Sequence, residues 1–158
     1  MNTLSQLPGK QIGCSALLFN NEGYLLIVKP IYRSGWLLPG GFVEEGESPL
    51  QGCIREVKEE LYIDVFPKKL LCIDYTPKKF GQDEKIQFIF YGGTLSYMQI
   101  QHIILQKIEL NEHRFLPPED AMLLLSPRGS KRLFSCLHTL QKDRTVYLED
   151  GNQLCDLL

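Results

Sequence analysis

The sequence has no apolar run near the roughly 20 residues that a membrane-spanning helix needs. Its N-terminal stretch, MNTLSQLPGKQIG, lacks the apolar core of a secretory leader. Its five cysteines (Cys14, Cys53, Cys72, Cys136 and Cys155) are odd in number, scattered, and never spaced as CxxC. Zinc-ribbon and thioredoxin-like chemistry are thereby unsupported, and a secreted disulfide framework is disfavoured. Reduced thiols in a cytoplasmic protein are the simplest expectation. There is no polybasic stretch, and the formal net charge is −2. Neither a nucleic-acid polymer nor an anionic membrane is therefore an expected partner. Repeats, low-complexity tracts and linkers are also missing. The 158 residues, 44% of them hydrophobic, suit one domain (1–158) with a real core, as a monomer or homodimer.

What is present concentrates between Trp36 and Ile63: WLLPGGFVEEGESPLQGCIREVKEELYI. Ser48 followed by Pro49 marks a helix start, and Gln51 completes the spacing of a capping box. Leu50, Cys53, Ile54, Val57 and Leu61 recur at helical spacing and predict one apolar stripe. Glu56, Glu59 and Glu60 fall on a neighbouring arc. Side chains three or four apart on a helix lie about 5–6 Å apart. Like charges at that distance repel by roughly 1 kcal/mol in water and by more when partly buried. Arg55 and Lys58 relieve some of this; a bound divalent cation relieves more. All-oxygen ligands suit Mg²⁺, with Mn²⁺ as the alternative. By themselves, three glutamates would more simply make a solvated acidic face. The glycine turn of Gly40 and Gly41, which lets the backbone approach a ligand closely, shifts that balance.

From Gly41 the chain reads Gly, five residues, Glu47, seven residues, then Arg55-Glu56-Val57-Lys58-Glu59-Glu60-Leu61-Tyr62-Ile63. This resembles the Nudix box, G-x5-E-x7-R-E-U-x-E-E-x-G-U with U aliphatic. Every defined position matches except Tyr62, which stands where the family has glycine. Trp36, Leu38, Pro39, Gly40 and Glu44 resemble the family's lead-in. The resemblance implies metal ligation by Glu56, Glu59, Glu60 and the Gly40 carbonyl, with Glu56 also a candidate base. It implies that Arg55 orients the glutamates and that Glu47 supports the loop. Gly41 and Arg33 are the candidate substrate contacts. For a carboxylate from a later loop, Glu112 is the first candidate and Glu109 the second. At Tyr62 a left-handed helix end would cost roughly 1 kcal/mol. The expectation is local rearrangement one turn past the glutamates, without loss of metal binding.

The rest reads as scaffold. Strands are expected at Ile12–Phe19 and Tyr24–Val28, forming a hairpin, and at Lys69–Tyr75, Lys85–Leu95, Ile108–Phe115 and Thr145–Leu148. In the strand at 85–95, Ile86, Phe88 and Phe90 alternate against Gln87, Ile89 and Tyr91, and Gly92-Gly93 suggests a bulge or close backbone approach. Helices are expected at Glu119–Leu125 and Pro127–Gln141, the latter with Leu133, Phe134, Leu137 and Leu140 inward and Lys131, Arg132 and Lys142 solvated. Trp36 is read as a core anchor ahead of a base-stacking surface, and His102 as structural. This element order fits an α/β class, an α/β/α sandwich around a mixed sheet, which is what the Nudix resemblance also implies.

The resemblance further implies Mg²⁺-dependent cleavage of a nucleoside diphosphate linked to another moiety. ADP-ribose or nucleotide sugars rank level with nucleoside triphosphates, ahead of diadenosine polyphosphates. The signature of the NADH-cleaving branch is missing; Pro77 lies roughly where ADP-ribose-cleaving members carry a proline. The main rival is a non-catalytic, nucleotide-sensing module. Such sensors often lose box glutamates, and all three are present. Isoprenoid diphosphate isomerisation would need a placed cysteine, which neither Cys53 nor Cys72 supplies.

Overall fold

A computed structural model of the chain describes residues 8–154; Cys155 lies outside them. The sheet is built on Gln11–Phe19 (β1). β1 is apolar on both faces because both are covered. Cys14, Ala16 and Leu18 join one core cluster, and Leu17 and Phe19 the other. Leu25–Pro30 (β2) and Gly40–Phe42 (β3) follow. β1 forks along one edge: near its end only Phe19 opposes Leu25 of β2, whereas Gly13–Ser15 pairs with β3. The expected hairpin is therefore closed only at its turn.

Pro49–Leu61 forms α1, Lys69–Thr76 β4, Lys85–Thr94 β5 and Tyr97–Gln101 α2. Leu110–Leu116 is β6, Pro118–Leu124 α3, Pro127–Leu140 α4, Val146–Glu149 β7 and Asn152–Gln153 β8. The sheet order is β6-β2-β1-β5-β4-β7-β8, with β3 paired to β1 off this path. β1 with β5 and β4 with β7 are parallel; the other pairs are antiparallel. One face packs on α1 through Cys53, Val57 and Leu61; the other packs on α3 and α4 through Ala121, Leu133 and Cys136. This is the mixed-sheet α/β/α sandwich.

Central burial explains several departures from the expected patterns. β5 is covered on both faces, so Gln87, Ile89 and Phe90 are all buried, instead of one alternate set alone. Its bulge falls at Gly92, where Leu17 opposes Tyr91 and Leu18 opposes Gly93. A Cβ at Gly92 would also overlap the Leu18 side chain, so both expectations for this pair hold together. The apolar faces of the two long helices are narrower than their sequences suggest: Leu50 is 38% and Phe134 65% exposed. Trp36 is buried, with the Arg114 guanidinium 4.8 Å from its ring centroid. His102 is exposed, its Nδ1 2.6 Å from the Met98 carbonyl.

Arg132 corrects the reading of α4's polar side. It is not plain solvated charge. Its Nε donates to Asp74, which is fully buried, and its Nη2 donates to Thr76 Oγ1 at 2.8 Å. An unpaired carboxylate at Asp74 would be very costly there. The second Asp74 oxygen accepts the Gly151 N–H at 3.0 Å.

Candidate active site

The box folds from local rules. The Ser48 hydroxyl accepts the Gln51 N–H at 3.1 Å, and Gln51 Oε1 accepts the Ser48 N–H at 2.8 Å. That capping box and Pro49 at the first turn fix where α1 begins. The start position fixes which arc carries the glutamates. Tyr62 ends the helix in the left-handed region, φ 60° and ψ 24°, with its N–H on the Lys58 carbonyl at 2.9 Å. No rearrangement occurs. The tyrosine adopts the conformation glycine would favour, its exposed ring 4.8 Å from Lys58 Nζ. Residues 104–106 then tie down the helix end: the Ile104 and Gln106 N–H groups donate to the Leu61 and Glu60 carbonyls, each at 3.0 Å.

β3 brings the glycine turn to this helix. Residues on adjacent strand positions point to opposite faces, and Gly41 points to the α1 side. A Cβ there would lie 2.6 Å from Glu56 Oε2. Glycine is therefore required for the carboxylate to reach β3. Gly40 has φ +147°, a conformation side chains rarely adopt, and a Cβ would lie 2.6 Å from the Ser15 Cα. Its N–H donates to Glu60 Oε2 at 2.9 Å.

Arg55 organises the carboxylates. Nε and Nη2 grip Glu47 in a bidentate pair at 2.6 and 3.0 Å. Nη1 reaches Glu56 Oε1 at 3.1 Å and Glu59 Oε2 at 3.0 Å, and Nη2 also donates to the Phe42 carbonyl at 2.9 Å. One guanidinium therefore locks the loop, β3 and two helix glutamates into one unit. It holds the Glu47 carboxyl below its usual range.

Glu60 is the departure from the expected arc. It sits inside, only 5% exposed. Burial, with the like charges of Glu56, Glu109 and Glu59, pushes it up to about 8, against the partly offsetting Gly40 N–H. Burial also raises Glu56, against the pull of Arg55. Three carboxylates, two of them reluctant to ionise, make a hard-oxygen set that a divalent cation would stabilise. Among the described residues no three such side chains already stand gathered as one shell. Arg55 explains this: its Nη1 holds the oxygens of Glu56 and Glu59. The donor chemistry fits Mg²⁺ or Mn²⁺, and binding requires those carboxylates to turn from Arg55.

The later-loop candidates separate. Glu112 lies on β6 opposite Lys29, with Arg114 Nε on its Oε1 at 2.6 Å. Glu109 is the carboxylate whose charge is felt at Glu56 and Glu60. Its N–H is held by the Gln106 carbonyl at 2.9 Å, and its own carbonyl accepts from Ile31 at 2.8 Å. Tyr32 joins this group: burial and the charges of Glu60, Glu109 and Glu56 raise its hydroxyl, while Arg33 opposes them. Neither Tyr32's place nor the nearness of Glu109 to the helix glutamates was legible from spacing alone. Burial pushes the Cys14 and Cys53 thiols up to about 11 and about 12, so neither is poised as a nucleophile.

The NUDIX domain family model matches residues 9–137, most of the described fold. The chain belongs to the Nudix family. YjhB of Bacillus subtilis (strain 168), whose name provisionally makes it an ADP-ribose pyrophosphatase, is 32% identical over 109 residues. That match covers 68% of this chain and 50% of YjhB. Nudix hydrolase 8 of Arabidopsis thaliana is 26% identical over 80% of this chain and 36% of its own length. The chain thus spans half or less of these curated relatives. Among solved structures, a MutT protein from Methanosarcina mazei Go1 superposes with a TM-score of 0.69 at 23% identity, covering 89% of this chain and all of that one. A UDP-X diphosphatase gives 0.75 at 21% identity, covering 93% and 70%. These two show the shared Nudix fold.

Proposed function

We propose that this Nudix chain is a divalent-metal-dependent pyrophosphohydrolase. Its substrate is a nucleoside diphosphate linked to another moiety: ADP-ribose or a nucleotide sugar, or a nucleoside triphosphate. The observation that carries this is the joined unit of Arg55, Glu47, Glu56, Glu59 and buried Glu60 against a side-chain-free β3. A solvated acidic face would not bury Glu60 and give up stability to do so. The names of YjhB and of NudI, a nucleoside triphosphatase of Salmonella agona, support both substrate classes. The intact glutamates favour catalysis over the nucleotide-sensing reading.

Glu56, Glu59 and Glu60, with the Gly40 carbonyl, would hold the cation, Mg²⁺ or Mn²⁺. When bound, it supplies positive charge that offsets both the carboxylates and the diphosphate. The chain's own residues do the rest. Gly41 lets the phosphate chain approach the β3 backbone. Arg55 keeps Glu47 as a strut while its Nη1 releases and guides Glu56 and Glu59. A water attacks phosphorus, and its proton passes to a carboxylate. Glu56 and Glu109 are the candidates for this, since the charge of Glu109 is felt at Glu56. The P–O anhydride bond breaks, and the leaving phosphate takes the electron pair. Arg33 meets the substrate from the β2–β3 loop. The same reading takes the protein as one domain, acting on small nucleotides in a reducing cytoplasm. Among the described residues no helix is long and apolar enough to cross a membrane.

The test is product analysis with Mg²⁺ across ADP-ribose, nucleotide sugars, dinucleoside polyphosphates and nucleoside triphosphates. A nucleoside monophosphate should appear from one class, and Glu56→Gln should reduce its rate at least a hundredfold. Release from no class, or an unchanged rate in the variant, contradicts the proposal.

A further inference from the structure

The two ends of the sheet are not alike. One ends in β8, a strand of 2 residues, and the other in β6, a strand of 7. Among the described residues no strand pairs the outer side of β6. Proline and lysine commonly blunt such edges, and Leu110–Leu116 contains neither. The neighbouring strand fixes which backbone groups face outward. Val28 of β2 exchanges both its backbone bonds with Leu37, on the side away from β6, each at 2.9 Å. Alternate residues of an antiparallel strand present their N–H and C=O to opposite sides. Ile27 and Lys29 therefore bond to β6, where they oppose Arg114 and Glu112. The register shifts near Asn111, which leaves 112–116 as the regular stretch. Within it the N–H and C=O of His113 and Phe115 point outward.

The side chains between these groups carry one charge of each sign. Glu112 and Arg114 are two apart on the strand and share a face. Arg114 is already ordered there, 4.8 Å from the Trp36 ring centroid and bonded through Nε to Glu112 Oε1 at 2.6 Å. Among the described residues its two terminal nitrogens and the second Glu112 oxygen make no hydrogen bond. A second copy can extend this edge antiparallel about a two-fold axis, where residue i meets j and j meets i. An axis at Glu112 or at Arg114 would set like charges against each other. An axis at Phe115 would set His113 against the partner's Pro117, which has no N–H to give. An axis at His113 sets Glu112 against the partner's Arg114, and Arg114 against the partner's Glu112. The two His113 backbones then exchange N–H and C=O. Both charge pairs fall at positions without backbone bonds, where opposed side chains come closest.

We infer that β6 is the interface for a second copy of this chain, joined antiparallel about His113 so that one sheet runs through both copies. The backbone of His113 and Phe115 supplies the pairing, and the crossed Glu112–Arg114 pairs select the register. A single strand pair lies at the small end of specific interfaces, so the dimer is a weak one, half dissociated between about 1 and 100 µM. The inference stands apart from the nucleotide chemistry, since it uses none of the glutamates of α1.

The experiment is sedimentation velocity of the full chain over a dilution series up to about 500 µM, with circular dichroism at low concentration to check that each variant is folded. His113→Pro removes an N–H that faces outward, so the ladder to β2 survives while the partner strand is blocked. Its dimer should be at least about thirtyfold weaker than the wild type's. Glu112→Arg makes the row of four charges wholly positive, and Arg114→Glu makes it wholly negative. Each variant alone should dimerise at least about tenfold more weakly than the wild type. An equimolar mixture of the two restores opposite charges at both crossings and should associate within about threefold of the wild type. A loss of fold would not be repaired by mixing. A wild type that stays monomeric at about 500 µM overturns the second copy as the occupant of this edge. So does a dimer that His113→Pro leaves unchanged. A mixture that associates no more tightly than its separate components overturns the register.

Discussion

Replacing Glu60 by glutamine should abolish most of the pH dependence of stability in the metal-free protein. Glu60 is 5% exposed and is pushed from an ordinary 4.5 to about 8, chiefly by burial. A tenfold change in proton affinity corresponds to about 1.4 kcal/mol, so ionising this group in the folded state costs on the order of 5 kcal/mol at most. The sign follows from which state holds the proton. Between about 4.5 and about 8 the unfolded chain ionises Glu60 while the folded chain keeps it protonated. Stability is therefore greatest below that window and falls as pH rises through it. At roughly 2–4 °C per kcal/mol for a chain this size, wild-type protein in EDTA should lose about 10 °C or more of melting temperature between pH 5 and 8.5. Glu60→Gln keeps an oxygen for the Gly40 N–H and should stay nearly flat, apart from a residual slope from Glu56. Added Mg²⁺ should restore the wild type at pH 8.5 and leave the variant unmoved. Equal pH slopes in the two proteins would refute the reasoning, because burial of this carboxyl would then cost nothing.

Other consequences are open to direct measurement. Gly41→Ala should displace the Glu56 carboxyl, lowering kcat about a hundredfold; that side chain can rotate away, so urea unfolding should change by less than about 1 kcal/mol. Arg132→Met leaves Asp74 buried without its partner and should cost roughly 3–5 kcal/mol in urea unfolding. Tyr62→Gly relieves a left-handed tyrosine but frees the unfolded chain and removes the Lys58 contact; stability should move by less than about 1 kcal/mol and turnover by less than about twofold. Glu109→Gln should reduce kcat at least about tenfold with a shifted pH profile, and Glu112→Gln should leave both nearly intact; the opposite ranking would make Glu112 the later-loop carboxylate.

Local signals were legible because local physics decides them. Ser48, Pro49 and Gln51 announce the start of α1 wherever the helix packs, and helical spacing places Cys53, Val57 and Leu61 inward. The mixed sheet followed from element order. What sequence did not disclose depends on residues far apart in the chain. Arg132 reads as solvent charge until Asp74, 58 positions away, is brought beneath it. Glu60 reads as exposed until β3 and the 104–106 segment close over the end of α1. The hairpin expected between β1 and β2 opens because β3 takes the other half of that edge, a competition the strand pattern does not encode. The left-handed Tyr62 shows the converse: a box position that departs from the family residue still keeps the backbone conformation, because the loop that follows holds it.

The central claim is that the glutamate site cuts a nucleotide anhydride and does not merely bind one. It is tested most directly by measuring Mg²⁺-dependent turnover and equilibrium binding of the same nucleotides on the same samples, beside a Glu59→Gln/Glu60→Gln variant. The account predicts cleavage of one nucleotide class by the wild type, lost in the variant. Nucleotide binding by the wild type without cleavage of any class would contradict it and assign the fold to sensing.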